Sequence, residues 1–190
     1  MSDRVGAVPD ALKILVAGGF GAGKTTLVSA LSEVESLHTE ELVTAESIGV
    51  DDLHGVEAKT TTTVALDFGR ITLDEHTVIY MFGTPGQRRF AFMWEELAEG
   101  ALGAIVLADT RRLEDCFETI DFFEQRDVPF IVAVNCFDGV RTHMPADVRV
   151  ALDVDPNVPV MLCDARERES VKRVMIELVS HILELELSGA

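Results

Sequence analysis

The stretch Gly18-Gly19-Phe20-Gly21-Ala22-Gly23-Lys24-Thr25-Thr26 constrains this chain more than any other. It fits G-x-x-x-x-G-K-[ST], with Gly18, Gly23, Lys24 and Thr25 on the fixed positions. Glycines let a backbone curl until its N–H groups point inward, where they cradle phosphate oxygens. A lysine closing the loop is a flexible point charge for the β- and γ-phosphates, and the hydroxyl after it suits Mg²⁺. The flanks agree. Lys13-Ile14-Leu15-Val16-Ala17 is an apolar run that reads as a buried parallel strand, about 12–18. Thr26-Leu27-Val28-Ser29-Ala30-Leu31 reads as a helix, about 23–34, whose dipole adds positive potential at the loop. Gly18, Phe20, Gly21, Ala22, Gly23, Lys24, Thr25 and Thr26 are therefore the expected phosphate contacts. The alternative is a glycine-rich turn with Lys24 facing solvent.

Strands and helices alternate beyond the loop. Residues 1–11 are expected to form a short mobile leader, and 12–190 a single domain. Residues 35–59 carry Glu40, Glu41, Glu46, Asp51, Asp52 and Glu57 with little pattern, and read as a long loop. Thr63 to Phe68 and Val78 to Phe82 read as strands joined by an Asp74-Glu75-His76 turn, so one of them is antiparallel. A segment rich in Phe90, Phe92, Met93 and Trp94 follows Gly83-Thr84-Pro85-Gly86-Gln87 and reads as a helix. Buried strands are expected at 103–108, 129–134 and 158–162, and amphipathic helices at 112–126 and 167–187. This order predicts an α/β fold: a doubly wound, mostly parallel sheet with one antiparallel strand and helices on both faces. Ligands of such sheets sit at the carboxyl ends of the strands, where the glycine- and carboxylate-bearing loops fall.

The 190 residues are 47% hydrophobic and carry a formal net charge of −17. That charge argues against nucleic acid and anionic lipid as partners. Cys116, Cys136 and Cys163 are scattered without metal-ligand spacing and read as reduced thiols of a cytoplasmic protein. No apolar run is long enough to span a membrane, and no lipidation pattern is present, so membrane association would come through a partner.

The order of phosphate loop, Thr cluster, Gly-Thr-Pro-Gly-Gln and Asn-x-x-Asp resembles the Ras-like small GTPases over about residues 12–187. Phe-Gly-Thr-Pro-Gly-Gln (82–87) and Asn-Cys-Phe-Asp (135–138) look most like the bacterial MglA and conservon GTPases. The resemblance implies GTP and GDP as ligands with Mg²⁺ as cofactor, and slow GTP hydrolysis. It gives Asp138 the guanine N1 and N2 edge and Asn135 the bracing of that loop. Cys136 replaces the family's lysine, and Cys163-Asp164-Ala165 falls where a backbone contact to the guanine carbonyl is made. Gln87 matches the glutamine that orients the attacking water, and the Gly86 N–H would meet the γ-phosphate. Thr63, among Thr60 to Thr63, is the choice for the threonine that senses Mg²⁺ and γ-phosphate together. Gly83 stands where the family has a metal-facing Asp, and Asp67 in the neighbouring strand is the candidate substitute, against the alternative of an ordinary surface Asp. Phe20 replaces a glycine and is expected to crowd an arginine arriving from a partner. Arg88 and Arg89 are the cations nearest the second loop. Roadblock-type and sensor-kinase-like proteins are the partners that the resemblance implies.

Two other readings stand beside the GTPase switch. One is a nucleotide-dependent binding module with little hydrolysis, which Gly83 and Phe20 favour. The other is a P-loop ATPase or kinase, which Asp138 and Gln87 disfavour. Adjacent aromatic positions spread around a helix, so at least one of Phe90, Phe92 and Trp94 is expected at the surface.

Overall fold

The computed structural model describes residues 10–35, 37–44, 61–87 and 90–189, and for 37–44 and 61–65 it describes the backbone alone. Seven strands form one sheet: β1 (Asp10–Ala17), β2 (Leu37–Thr44), β3 (Thr61–Thr72), β4 (Thr77–Gly83), β5 (Gly103–Ala108), β6 (Phe130–Asn135) and β7 (Val160–Cys163). The helices are α1 (Lys24–Leu31), α2 (Met93–Ala98), α3 (Phe117–Glu124), α4 (Pro145–Leu152) and α5 (Arg168–Ser188). The strand order is β2-β3-β4-β1-β5-β6-β7. β3 runs antiparallel to both neighbours, while β4, β1, β5, β6 and β7 are mutually parallel. The expected single antiparallel strand is present.

β5 and β6 are buried at every residue, as a strand covered on both faces must be. One apolar layer joins Ile14, Val16, Leu27, Val28, Ile105, Leu107, Val174 and Leu178 under α1 and α5. A second joins Leu15, Val106, Ile120, Phe123, Val132 and Val148 under α3 and α4. Successive residues of β1 alternate between the two layers because strand side chains have a period of two.

The long loop expected at 35–59 is corrected in part. Residues 37–44 are a strand that pairs from Leu37↔Phe68 to Thr44↔Thr61 along the open side of β3. The segment His38-Thr39-Glu40-Glu41 lacks a clean alternation, so the pattern conceals it. Hydrogen bonding to an edge makes the strand, and acidic residues are tolerated on an edge. Residues 45–60, and with them Thr60, lie outside the described residues. The helix after Gln87 starts later than its composition suggests, at Met93. The helix expected over 112–126 opens as a 3₁₀ turn, Leu113–Cys116, and becomes α3 only at Phe117.

Candidate functional site

Gly18, Gly21 and Gly23 have φ of 133°, 76° and 108°, the left-handed region that glycine alone enters freely. A Cβ on Gly18 would also lie 2.3 Å from the Leu107 carbonyl oxygen, so the loop is pressed against the end of β5. Lys24 turns back under the loop, its Nζ donating to the carbonyls of Gly18 at 2.9 Å and Gly19 at 2.8 Å. Burial lowers its pKa to about 8, against a partial rise from the Asp67 charge. The solvent-facing alternative for Lys24 does not hold: the residue is 8% exposed.

Asp67 is the second pole. It is 9% exposed and accepts from Thr25 Oγ1 at 2.7 Å. Register sets it opposite Gly83. The carboxylate that the motif lacks at the end of β4 thus stands one strand over, beside the loop threonine, rather than on the surface. Thr84 completes this corner. Its N–H donates to the Val16 carbonyl at 2.8 Å, and its hydroxyl is buried with no hydrogen-bond partner among the described residues. A buried hydroxyl left unpaired costs roughly 1–3 kcal/mol, which a ligand removes. Thr84 was not singled out from the sequence, since only its burial reveals it. The oxygens of Thr25 and Asp67 are a donor set of the kind Mg²⁺ takes.

These residues line a cavity of about 360 Å³ with Phe20, Gly21, Gly23, Thr26, Pro85 and Gly86. Gly86 is its lid: a Cβ there would meet Lys24 Nζ at 2.6 Å and the Phe20 nitrogen at 2.8 Å. Gln87 follows Gly86 in the chain, half-buried and outside the cavity's lining, its carbonyl accepting from Phe90 N–H at 2.9 Å. Phe20 projects outward, 62% exposed. Thr63 belongs to β3 opposite Leu42 by its backbone, but its side chain lies outside what is described, and so do Arg88 and Arg89.

A second cavity of about 160 Å³ adjoins the first, with Gly21, Gly23 and Thr26 lining both. Asn135 walls it, donating from Nδ2 to the Ala22 carbonyl at 2.8 Å and accepting from Ala165 N–H at 3.2 Å. The β6 end is thereby bolted to the glycine loop on one side and the β7 end on the other. Asp138 lies at the mouth with φ 55° and an 87% exposed side chain. Arg166 reaches it at 3.0 Å while gripping Asp164 through two bonds, at 3.0 and 2.8 Å. That pair holds the Asp164 carboxyl below its ordinary range. The Asp164 N–H donates to Ser170 Oγ at 3.0 Å. In the Cys163-Asp164-Ala165 segment, where the resemblance gave a backbone contact to a ligand carbonyl, the N–H groups of Asp164 and Ala165 are thus both engaged within the protein. Cys136, in the lysine position, is buried and donates its N–H to the Cys163 carbonyl, so the cation beside Asp138 comes from Arg166 instead.

A larger concavity of about 600 Å³ lies between α2 and α3, lined by Phe92, Trp94, Glu95, Phe117 and Phe122 among others. It has no glycine cradle and no lysine, so phosphate chemistry places the site at the loop rather than there. The two meet through Trp94, which is 6% exposed and donates from Nε1 to the Pro85 carbonyl at 3.2 Å. Phe92 is 60% exposed, so one aromatic of the segment is at the surface while Phe90 and Trp94 are buried. No helix is long and apolar enough to cross a membrane among the described residues.

The model of a family described as conserved hypothetical ATP binding protein matches residues 16–185. An uncharacterized protein of Methanocaldococcus jannaschii is 32% identical over 131 residues, 68% of this chain and 72% of that protein. A probable translation initiation factor IF-2 of Thermofilum pendens is 28% identical over 175 residues, 90% of this chain, and the chain spans only 27% of its length. Among solved structures, the G domain of the T. maritima FeoB iron transporter superposes with a TM-score of 0.61 at 18% identity, over 90% of this chain and 99% of that one. The FeoB G-domain from Methanococcus jannaschii gives 0.58 at 14% identity, over 91% and 98%. At these identities the likeness is one of fold, a P-loop α/β domain of G-domain type.

Proposed function

The chain belongs to the family of conserved hypothetical ATP binding proteins, and within it we propose a guanine-nucleotide switch that binds GTP and GDP with Mg²⁺ and hydrolyses GTP slowly. One observation carries the reading. The loop cavity shares the walls Gly21, Gly23 and Thr26 with a second cavity whose lining holds a carboxylate, Asp138. Two acceptor oxygens suit the N1 and N2 donors of guanine, and adenine offers no such pair. The G domains that share the fold support this choice against the ATP of the family's description.

In this reading the loop N–H groups and Lys24 hold the β- and γ-phosphates. Thr25 and Asp67 would hold Mg²⁺, which supplies charge neutralisation at the phosphate oxygens when bound. Thr63 remains the choice for the threonine that meets it from β3. Gln87 orients the attacking water. Gly86 lies against Lys24 with no room for even a methyl group, so a γ-phosphate admitted between them moves Gly86. Pro85 moves with it, and the Pro85 carbonyl is held by Trp94. Presence of the γ-phosphate is thereby passed to α2. We place the protein with the MglA and conservon group, and take roadblock-type and sensor-kinase-like proteins as partners that meet Phe92 and the α2 surface. Residues 82–87 and 135–138 support that placement.

A second reading, a nucleotide-dependent binding module with little hydrolysis, is favoured by the exposed Phe20 ring at the mouth of the phosphate cavity. Thermal unfolding with GTP, GDP, XTP, ATP and ADP, with and without Mg²⁺, tests the first step. A ligand at a hundredfold excess over Kd adds about 2.7 kcal/mol. Selective stabilisation by GTP and GDP supports the switch, and equal or stronger stabilisation by ATP overturns the guanine assignment. Single-turnover phosphate release then separates switch from module.

A further inference from the structure

Two adjacent arginines after β5 part company. Arg111 is spent: it grips Asp109 through bonds of 2.8 and 2.7 Å and lies over the Phe137 ring at 3.7 Å, bracing the loop that carries Asp138. Arg112 turns the other way. Its guanidinium donates to the Phe20 carbonyl, and a Cβ on Gly21 would come within 3.4 Å of its Nη2. The 3₁₀ turn that follows is seated on the same loop, since a Cβ on Gly19 would collide with the Asp115 side chain at 2.6 Å. Arg112 is thus fastened to the phosphate loop by a rigid neighbour.

Beyond its bond to the Phe20 carbonyl the tip is loosely held. Its ion pair with Asp115 is long, 3.9 Å, and its side chain is 46% exposed. Phe20 and Gly21, the residues it touches, line the phosphate cavity. Among the described residues lining that cavity, Lys24 is the cation. A triphosphate brings about four negative charges to a chain of net charge −17. Arg112 touches that cavity's wall at Phe20 and Gly21, and a planar guanidinium suits phosphate oxygens that Lys24 alone does not reach from beneath the loop.

We propose that Arg112 is an arginine finger supplied by the chain itself: on nucleotide binding it leaves the Phe20 carbonyl and takes up the charge that develops on the β–γ bridging and γ-oxygens. This rests on the guanine-nucleotide reading above. In the step it assists, the water oxygen bonds to Pγ and the bond from Pγ to the bridging oxygen breaks. The electron pair leaves with GDP, and the water proton passes to the released phosphate. Arg112 exchanges no proton and contributes charge alone. An arginine held within the chain at the Phe20 carbonyl does not have to pass the Phe20 ring that is expected to crowd one arriving from a partner.

The test compares the full chain with Arg112→Ala and Arg112→Lys in three measurements: GDP and GTP affinity, single-turnover phosphate release from bound GTP, and capture of aluminium fluoride by the GDP complex in the absence of any partner. The wild type is expected to capture aluminium fluoride unaided. Arg112→Ala is expected to keep GDP affinity within about tenfold, to lose aluminium fluoride capture, and to release phosphate about a hundredfold or more slowly. Lysine is expected to restore little, since a point charge does not reproduce the fork, whereas added guanidinium ion restores part of the alanine variant's rate. An unchanged rate per bound GTP, a parallel loss of GDP and GTP affinity without a rate effect, or a wild type that captures no aluminium fluoride would each overturn the proposal. A wild type that binds no guanine nucleotide at all overturns the reading beneath it as well, so the two failures are told apart.

Discussion

Asp67 and Gly83 stand directly opposite each other on β3 and β4, and a Cβ on Gly83 would lie 2.8 Å from the Asp67 Cβ. The absent carboxylate and the present one are therefore two halves of one arrangement. There is room for a single acid beside Thr25, and this chain puts it on β3. Gly83→Asp alone is expected to crowd Asp67 and weaken Mg²⁺-dependent nucleotide binding tenfold or more. Asp67→Ala is expected to remove the Mg²⁺ dependence, and the double variant Asp67→Ala/Gly83→Asp to recover part of it. Titration of GDP and GTP affinity against Mg²⁺ checks this. Additive losses in the double variant would show that the two positions do not share one role.

Asp138 and Arg166 give the second prediction. Asp138→Asn turns one of two acceptors into a donor, which matches a xanthine carbonyl rather than the guanine amine. An unpaired group at the base costs roughly 1–3 kcal/mol, so GTP is expected to lose tenfold or more while XTP gains. Competition between the two nucleotides for one labelled probe measures it. Equal change for both would mean that Asp138 does not read the base.

Lys24 makes two quantities move in opposite directions with pH. The folded, ligand-free protein holds its Lys24 proton only to about 8, whereas an ordinary lysine holds it to 10.5. Between those values the unfolded chain binds more protons at this residue, so its contribution to stability rises with pH. Nucleotide affinity depends on the charged ammonium and is expected to fall above about pH 8, approaching tenfold per unit. Thermal unfolding with and without GDP from pH 7 to 10, set against Lys24→Met, isolates the lysine's contribution. The variant is expected to lose nucleotide binding and both slopes, without losing stability in the ligand-free form.

Trp94 reports the state of the phosphate corner. Its Nε1–H is tied to Pro85, one residue before the lid at Gly86, and its ring meets Phe122 edge-on at 5.4 Å between centroids. Its emission is expected to differ between GDP and a non-hydrolysable GTP analogue, as the sole tryptophan of the chain. Trp94→Phe removes one hydrogen bond, at a cost of about 1 kcal/mol to stability, and is expected to uncouple partner binding at Phe92 from the nucleotide. Identical emission in both nucleotide states would argue for a constitutive binding module.

The sequence by itself determined the glycine loop, the parallel strands and the position of the candidate site at their carboxyl ends. Each rests on local physics: positive φ that glycine alone supplies, apolar runs that must be buried, and a helix that starts where the loop closes. Asn135 and Asp138 were legible as a short motif on a strand end. The tertiary structure decided the rest. β2 exists because β3 offers it an edge, which no periodicity within residues 37–44 announces. Asp67 becomes a candidate metal ligand rather than a surface acid through a register that sets it against Gly83 and beside Thr25, 42 positions away. Thr84 shows itself only as a buried hydroxyl with no hydrogen-bond partner among the described residues. Arg112 was one of two adjacent arginines until packing turned them to opposite loops. Pairings between distant segments depend on which backbones run side by side, and a linear pattern carries no record of that.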